Sequence, residues 1–338
     1  MPKISVLMPC FNREQTLEQT LQSIAAQTLE DFEVLAVDDG STDDTPQILA
    51  RWQETDPRFR FLPIPHAGII PAMNTGLAAA RSDLIARMDG DDLMHPTRLE
   101  KQVAYLDAHP QVSLVSSFVA GFPAGSLRQG FQNYIDWLNS LATHEDICRE
   151  IFVESPLCHP TVAYRKQIVD DLGGYQEMGW AEDYDLWLRM FLAGCTFAKV
   201  PEMLVEWREH PERLTRTDSR YSLENFIRAK AHYLAAGPLA ERDAVFIWGA
   251  GMHGRRLSKH LLRAGVPLSV FVDIDPKKIG RTRRGFPIIG PDDLPDRWAR
   301  SQRPALLSAV GAAGARELIR ERLNALNLME GQDWWAAA

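Results

Sequence analysis

The residues best suited to chemistry stand in the run Ile85-Ala-Arg-Met-Asp-Gly-Asp-Asp-Leu-Met-His-Pro96. Ile85 to Met88 read as the end of a buried strand that runs straight into three carboxylates, Asp89, Asp91 and Asp92. Pro96 is expected in the first turn of a helix that carries Leu99, Val103 and Leu106 at helical spacing. Carboxylates clustered where a strand leaves a sheet make a poor core. They make a good seat for a hard cation, since Mg²⁺ or Mn²⁺ takes oxygen ligands and keeps substrate phosphates in its shell. The plainer alternative is an acidic turn that complements a helix N-terminus. Two further acidic pairs invite the same question. Asp38-Asp39 ends a strand over Phe32 to Val37, and Glu182-Asp183 opens a helix over Ala181 to Ala193, with Tyr184, Trp187, Leu188 and Phe191 inward.

The elements that must hold these groups alternate in type. A strand over Lys3 to Pro9 leads to a helix that Asn12 can cap, lined by Leu17, Leu21 and Ile24. The strand ending at Asp38 leads to a helix capped by Thr45 with Pro46 at its first position. A strand over Phe59 to Ile64 precedes a helix near Pro71 to Arg81, and the fourth strand delivers the acidic cluster. This βαβαβαβ order predicts an α/β fold on a mostly parallel sheet. Ligands of such sheets sit beyond the carboxyl ends of the strands, where Asp38-Asp39 and Asp89/Asp91 both fall.

Composition narrows the function classes. The 338 residues are 45% hydrophobic and carry a net charge of −8, enough chain for two domains and no basic block for nucleic acid. The four cysteines, Cys10, Cys148, Cys158 and Cys195, lack paired spacing and read as reduced thiols. No run approaches the roughly 20 apolar residues of a membrane span. A cytoplasmic protein is expected.

Several motifs then fall in one order: Val37-Asp-Asp-Gly-Ser-Thr-Asp43, Ala86-Arg-Met-Asp-Gly-Asp-Asp92, Pro96-Thr-Arg-Leu-Glu-Lys-Gln102, His159-Pro-Thr161, Ala181-Glu-Asp-Tyr-Asp-Leu-Trp187 and Arg208-Glu-His210. Together, over about residues 3–215, they resemble the family-2 inverting glycosyltransferases with a GT-A fold, a nucleotide-diphospho-sugar transferase fold whose N-terminal half is Rossmann-like. The resemblance implies a donor such as a UDP, dTDP or GDP sugar, and Mg²⁺ or Mn²⁺ as cofactor. It implies nucleoside contacts from Asp38 and Asp39, Asp39 the better placed, and from the Pro9 to Arg13 loop with Pro9, Asn12 and Arg13. It puts the metal on Asp91, with Asp89 at the ribose or a metal-bound water, and the catalytic base at Asp183. Inverting transfer is a single in-line displacement, so one carboxylate must take the acceptor proton. Glu182, His159 and Trp187 fall on the acceptor side, although His159 reads equally as a satisfied buried histidine. His210 would complete the metal shell or touch the diphosphate. One departure stands out: many relatives carry Arg where this chain has Met73, before Asn74. A diphosphate contact is then absent or supplied by Arg81 or Arg87.

Residues 121–157 read as an insertion shaping the acceptor pocket, or as an ordinary packed helix with Phe131, Tyr134, Ile135 and Leu138 on one face. A helical connector over 216–240 separates the transferase domain, 1–215, from a Rossmann-like domain, 241–338. There Gly249-Ala-Gly251-Met-His-Gly254 follows a strand and opens a helix, with Asp273 about 20 residues on, as a phosphate-binding turn would require. This part resembles small Rossmann-like modules appended to sugar-processing transferases. The whole chain reads as a metal-dependent inverting glycosyltransferase acting on a glycan or lipid-linked acceptor in surface polysaccharide or glycolipid biosynthesis. Peripheral association with the inner face of the membrane and a homodimer fit the same reading. Its rivals are an NAD-dependent sugar oxidoreductase or epimerase run by the C-terminal module, and a non-catalytic glycan-assembly scaffold.

Overall fold

The computed structural model describes every residue except Ala124 and Ser126. The chain forms two compact units. The first comprises Met1–Ile147, Pro156–Met178 and Glu182–Thr217; the second comprises Cys148–Ser155, Gly179–Ala181 and Asp218–Ala338.

The first unit runs β1 (Ile4–Cys10), α1 (Leu17–Ala25), β2 (Phe32–Asp38), α2 (Thr45–Thr55), β3 (Phe59–Pro63), α3 (Ile69–Ala79), β4 (Leu84–Arg87), β5 (Leu93–Met94), α4 (Arg98–Ala108), β6 (Val112–Phe122), α5 (Gln129–Ser140), α6 (His144–Glu150), β7 (Ala163–Arg165), α7 (Lys166–Asp171), α8 (Glu182–Leu192), β8 (Thr196–Arg208) and α9 (Leu214–Thr217). Its sheet has the order β3-β2-β1-β4-β7-β6-β8-β5. β3, β2, β1 and β4 are parallel, as the alternation predicts, while β7 runs antiparallel between β4 and β6. The central strands are apolar on both faces because helices cover both. Val6, Met8, Val34, Ala36 and Ala86 share one core with Leu17, Leu21 and Ile24 of α1 and Leu99, Val103 and Leu106 of α4.

Parallel register decides where the acids go. Cys10 pairs with Asp38, and Leu7 with Arg87, so β1, β2 and β4 end at one edge of the sheet. Arg81 lies at the other edge. Its backbone N–H donates to Glu33 (2.7 Å), and Glu33 pairs with Ser5 near the start of β1.

Three helix starts differ from expectation. Asn12 does not cap α1, which begins at Leu17; its φ is +51° and its side-chain oxygen accepts the Thr42 N–H at 2.9 Å. A polar residue that tolerates the left-handed region serves here to join two loops. Thr45 lies inside α2, behind Asp44, and its hydroxyl accepts the Arg13 N–H at 2.7 Å. Pro96 precedes α4, which begins at Arg98 after Thr97. The 121–157 stretch holds the end of β6, then α5 and α6; Ile135 and Leu138 are buried, and Phe131, Tyr134, Trp137 and Trp207 pack partly exposed around them.

The second unit holds α10 (Leu223–Ala236), β9 (Ala244–Trp248), α11 (Met252–Arg263), β10 (Leu268–Val272), β11 (Thr282–Arg283), β12 (Phe286–Ile289), α12 (Leu294–Trp298), β13 (Pro304–Ser308), α13 (Ala315–Ala325) and β14 (Trp334–Ala336). Its sheet order is β11-β12-β10-β9-β13-β14, parallel throughout except for β11. The 148–155 stretch is tied into this unit. Buried Glu150 accepts from Arg316 (2.5 Å) and Arg320 (3.1 Å), and Lys230 Nζ donates to Val153 O (2.5 Å). Among the described residues, no helix is long and apolar enough to cross a membrane.

The glycine turn between β9 and α11 is closed on itself. Gly249 sits at φ +112°, and a Cβ at Gly254 would lie 1.9 Å from Gly249 O. A backbone oxygen cannot rotate away, so the helix would have to move. Gly254→Ala is expected to destabilise the protein by about 1–3 kcal/mol, as overpacking does. Urea denaturation checks this; an unchanged midpoint would refute the close approach.

Candidate active site

The strand ends place Asp89, Asp91 and Asp92 so that one carboxylate oxygen of each lies within 4.8 Å of the others. Three like charges in so small a volume repel, and the surroundings divide them. Asp91 accepts from His210 Nε2 at 3.0 Å and lies 3.4 Å from Arg13 Nε. Burial pushes its pKa up, but the His210 hydrogen bond and the Arg13 charge outweigh that and hold it below the usual range. Asp92 is buried, with Oδ1 accepting the Arg208 N–H at 2.7 Å and Oδ2 without a partner. Burial, then the charges of Asp91 and Asp89, push its pKa well up. Asp89 is ion-paired to Arg87 at 2.5 Å. Arg208 also donates from Nε to Asp91 O at 2.6 Å, so the end of β8 is fastened to this loop.

A divalent cation fits this donor set. Oxygen-only ligands suit Mg²⁺ or Mn²⁺, and an unpartnered buried carboxylate oxygen calls for an explanation that a cation supplies. The expected His210 lies beside Asp91, as a ligand or as its hydrogen-bond donor.

The residues expected on the nucleoside side gather at the ends of β1 and β2, with β1 between β2 and β4. Asp38 is buried; Oδ2 accepts the Ser41 N–H at 3.3 Å, and Oδ1 has no partner. Asp39 is committed to the chain: its oxygens accept the Ala67 (2.7 Å) and Gly68 (2.9 Å) N–H groups and lie 2.9 Å from His66 Nδ1. Of the pair, Asp38 therefore keeps the freer oxygen. His66 stacks on Phe11 at 4.3 Å between ring centroids, forming an aromatic pair beside Asp39. His66 stands alone in the sequence, and only the fold brings it to Phe11. Pro9 and Cys10 end β1 beneath these groups, and the thiol of Cys10 is pushed up by burial and by Asp38.

Asp183 is the residue expected to be the base. Asp183 stands in the first turn of α8, partly exposed, with its Oδ1 accepting the Tyr184 N–H at 2.7 Å. Burial and the neighbouring Glu182 charge push its pKa up to about 7, against a downward pull from Arg87. Arg87 thus acts on Asp89 and on Asp183 from one buried position, and its Nε has no hydrogen-bond partner. Between the two expected suppliers of a missing cation, Arg87 is at the carboxylate edge and Arg81 is not.

His159 proves to be buried and hydrogen-bonded. Its Nε2 meets Tyr175 Oη at 3.1 Å, Tyr175 meets Tyr164 Oη at 3.2 Å, and Glu182 Oε1 lies 3.8 Å from Nδ1. Burial, then Arg87, hold it well below the ordinary histidine pKa, so it is neutral. Trp187, expected on the acceptor side, is fully buried, its ring nearly perpendicular to that of His159 at 5.8 Å between centroids. It belongs to the core beneath the site. Met73 is also fully buried, while Asn74 holds Tyr175 through two hydrogen bonds of 2.9 Å. The apolar residue at 73 therefore fills core space, and its neighbour fixes the tyrosine that holds His159.

In the second unit, Gly249, Gly251, Gly254 and Asp273 come together as expected. Asp273, however, is engaged within the chain: it accepts from Ala250 N (2.9 Å), Lys278 Nζ (3.0 Å) and Asp275 N (3.0 Å). An acid that would meet a ribose hydroxyl in a dinucleotide turn here closes the turn itself.

Comparison with known proteins places the first unit. The model described as Glycosyl transferase family 2 matches residues 5–173, which include Asp38, Asp39 and the Asp89–Asp92 cluster and end before Asp183. The chain is 33% identical over 208 residues to the amylovoran biosynthesis glycosyltransferase AmsE of Erwinia amylovora, covering 60% of this chain and 75% of that protein. It is 28% identical over 248 residues to the UDP-Gal:alpha-D-GlcNAc-diphosphoundecaprenol beta-1,3-galactosyltransferase of Escherichia coli, covering 72% and 88% respectively. Its fold is similar to that of S. aureus TarS 1–349 in complex with UDP-GlcNAc, with a TM-score of 0.58 at 21% identity over 77% of this chain and 72% of that one.

The strain on Asp92 has a measurable consequence. Its raised pKa means the folded state holds a proton that the unfolded state releases, so stability falls as pH rises above the ordinary carboxylate pKa. Asp92→Asn is expected to stabilise the metal-free protein at neutral pH by about 1–2 kcal/mol, as replacing a strained buried charge does. It should also reduce the stabilisation gained from Mn²⁺. Denaturation with and without Mn²⁺ checks both; a less stable variant that keeps the full Mn²⁺ response would contradict this account.

Proposed function

Because the chain belongs to glycosyl transferase family 2, we propose that it moves a sugar from a nucleotide-diphosphate donor to a hydroxyl with inversion, using Asp183 as general base and a divalent cation at Asp91. One observation carries this reading. A carboxylate cluster that could hold a cation and a carboxyl with its pKa raised to about 7 both feel the same buried arginine, Arg87, at the carboxyl edge of a parallel sheet.

Each step then has a group in this chain. The acceptor oxygen attacks the anomeric carbon while its proton passes to the Asp183 carboxylate, and the bond from that carbon to the diphosphate oxygen breaks with its electron pair leaving on the diphosphate. Asp183 afterwards returns the proton to solvent. A carboxyl near neutrality is well matched to this, because a general base works best with a pKa near the working pH. Asp91, Asp89 and Asp92 would hold Mg²⁺ or Mn²⁺, with His210 alongside. That cation, when bound, supplies Lewis-acid stabilisation of the departing diphosphate. Arg87 adds a fixed charge on the same side. Asp38, with Asp39 and the Pro9–Arg13 loop including Asn12, meets the nucleoside, and Phe11 and His66 offer ring faces to the base. Glu182 and His159 support the acceptor side from beneath.

The acceptor is read from the relatives by analogy. One is named for amylovoran biosynthesis and another acts on a diphosphoundecaprenol-linked sugar, which supports a growing surface glycan or its lipid-linked precursor. No observation favours the NAD-dependent rival, and the internal commitment of Asp273 weighs against it.

Two measurements test the reading. UDP, GDP, dTDP and NAD, each with and without Mn²⁺, are added to wild type and Asp91→Ala in thermal unfolding. One nucleoside diphosphate should stabilise wild type in a Mn²⁺-dependent way, by about 2.7 kcal/mol at 100 times its dissociation constant, and the mutant should lose that dependence. Stabilisation by NAD alone would overturn the proposal. With the donor known, kcat/KM should fall about tenfold per pH unit below about pH 7 and level off above, because the protonated Asp183 cannot accept a proton. Asp183→Asn should lose about 10²–10⁴-fold in kcat while still binding nucleotide. A mutant of near wild-type rate would remove Asp183 from the chemistry.

A further inference from the structure

The motif Pro96-Thr-Arg-Leu-Glu-Lys-Gln102 has no part in the mechanism above, yet Arg98 within it is fully buried. Among the described residues none of its hydrogen-bond partners is a carboxylate. Its donors go instead to neutral acceptors. Nη2 donates to Arg87 O (2.9 Å) and Val162 O (3.2 Å), Nε to Gln102 Oε1 (3.0 Å), and Nη1 points to Met88 Sδ (3.4 Å). Gln102, one turn along α4, donates to Thr161 O (2.8 Å) and Val115 O (3.3 Å).

Burying a guanidinium without a paired carboxylate is unfavourable, and an apolar side chain of the same length would serve stability at least as well. What the group touches explains it better. Arg87 and Met88 are the last two residues before Asp89, and Val162 follows directly on the His159-Pro-Thr161 turn. Val162 O also accepts the Arg87 N–H at 2.9 Å, so β4, that turn and α4 meet at one carbonyl. The Asp92 charge in turn acts on Arg98, opposing the loss of its charge on burial. A planar fork with five fixed donors can hold such a junction in one geometry, whereas a flexible ammonium holds it less well.

We propose that Arg98, braced by Gln102, is a positioning residue that sets the carboxylates of Asp89, Asp91 and Asp92 at the spacing a diphosphate-bound cation requires. This rests on the transferase reading above. It predicts that loss of the fork loosens cation-dependent nucleotide binding more than it loosens the fold.

The test uses the full chain as wild type, Arg98→Met, Arg98→Lys and Gln102→Leu. Isothermal titration measures the affinity for whichever of UDP, GDP or dTDP the wild type binds, across a Mn²⁺ series, and thermal unfolding follows the fold. In Arg98→Met the Mn²⁺-dependent gain in nucleotide affinity should fall about 10–100-fold, as loss of an outer-shell support does, while the melting temperature stays near wild type. Arg98→Lys should recover part of that gain. If Arg98→Met does not fold, Gln102→Leu keeps the charge and removes the brace, and a severalfold loss of the same gain is expected. Wild-type Mn²⁺ dependence in a folded Arg98→Met, or in Gln102→Leu where Arg98→Met fails to fold, overturns the proposal and leaves the transferase reading standing. Equal loss of binding with and without Mn²⁺, together with a lowered melting temperature, makes Arg98 merely structural and also overturns it. A wild type that binds no nucleoside diphosphate with Mn²⁺ removes both.

Discussion

The constraint on which the first unit depends is the mutual repulsion of three carboxylates where β4 ends. Asp89, Asp91 and Asp92 cannot all stay charged and dry without positive groups aimed at them. The chain supplies two such charges, Arg13 after β1 and Arg87 from β4 itself, and two hydrogen-bonding groups, His210 after β8 on Asp91 and the Arg208 N–H on Asp92. Each contact also closes the fold, since it ties a strand end or a loop to the same point. Electrostatic demand at the site and topology at the sheet edge are one problem with one solution. The residual imbalance, a buried Asp92 oxygen without a partner, is where a divalent cation would complete the balance.

Much of this was legible in the sequence because it depends on local order. The alternation of apolar runs and helical periods gave the parallel β1–β4 half, and the acids after β2 and β4 followed from strand polarity alone. The Glu182-Asp183 start of α8 was equally plain. What escaped was long-range. That β7 would insert antiparallel between β4 and β6 has no local signature in three short residues. Asn12 looks like a helix cap because capping residues and loop-bridging residues are the same types, and only its left-handed backbone and its bond to Thr42 separate the two. Trp187 lies on the inward stripe of an amphipathic helix, and how deep that stripe is buried depends on the partners across it. Arg81 and Arg87 both flank β4, so choosing between them required knowing which end of the strand faces the site.

The acidic pair at the start of α8 illustrates how neighbours set like groups apart. Glu182 and Asp183 are adjacent acids at one helix start, where the dipole favours charge on both. Glu182 lies buried against His159, whereas Asp183 keeps some exposure and has its pKa raised by burial and by the Glu182 charge. The inner acid therefore raises the outer one toward neutrality. Neutral His159, held by Tyr175 and in turn by Asn74, lies on the inner side of that pair and adds no opposing charge.

Acids at strand ends recur in both units, and hydrogen-bond accounting tells them apart. Asp39 and Asp273 each have backbone N–H groups on their oxygens and so serve to close a loop. Asp38 and Asp92 each keep a buried oxygen with no partner, a state that calls for an explanation. The two glycine- and acid-bearing edges look alike as sequence, since both put small residues and a carboxylate after a strand. They differ in whether the chain has already satisfied its own acid. By that criterion Asp38 and Asp92 keep open acceptor oxygens, whereas Asp273 is engaged by the turn after β9.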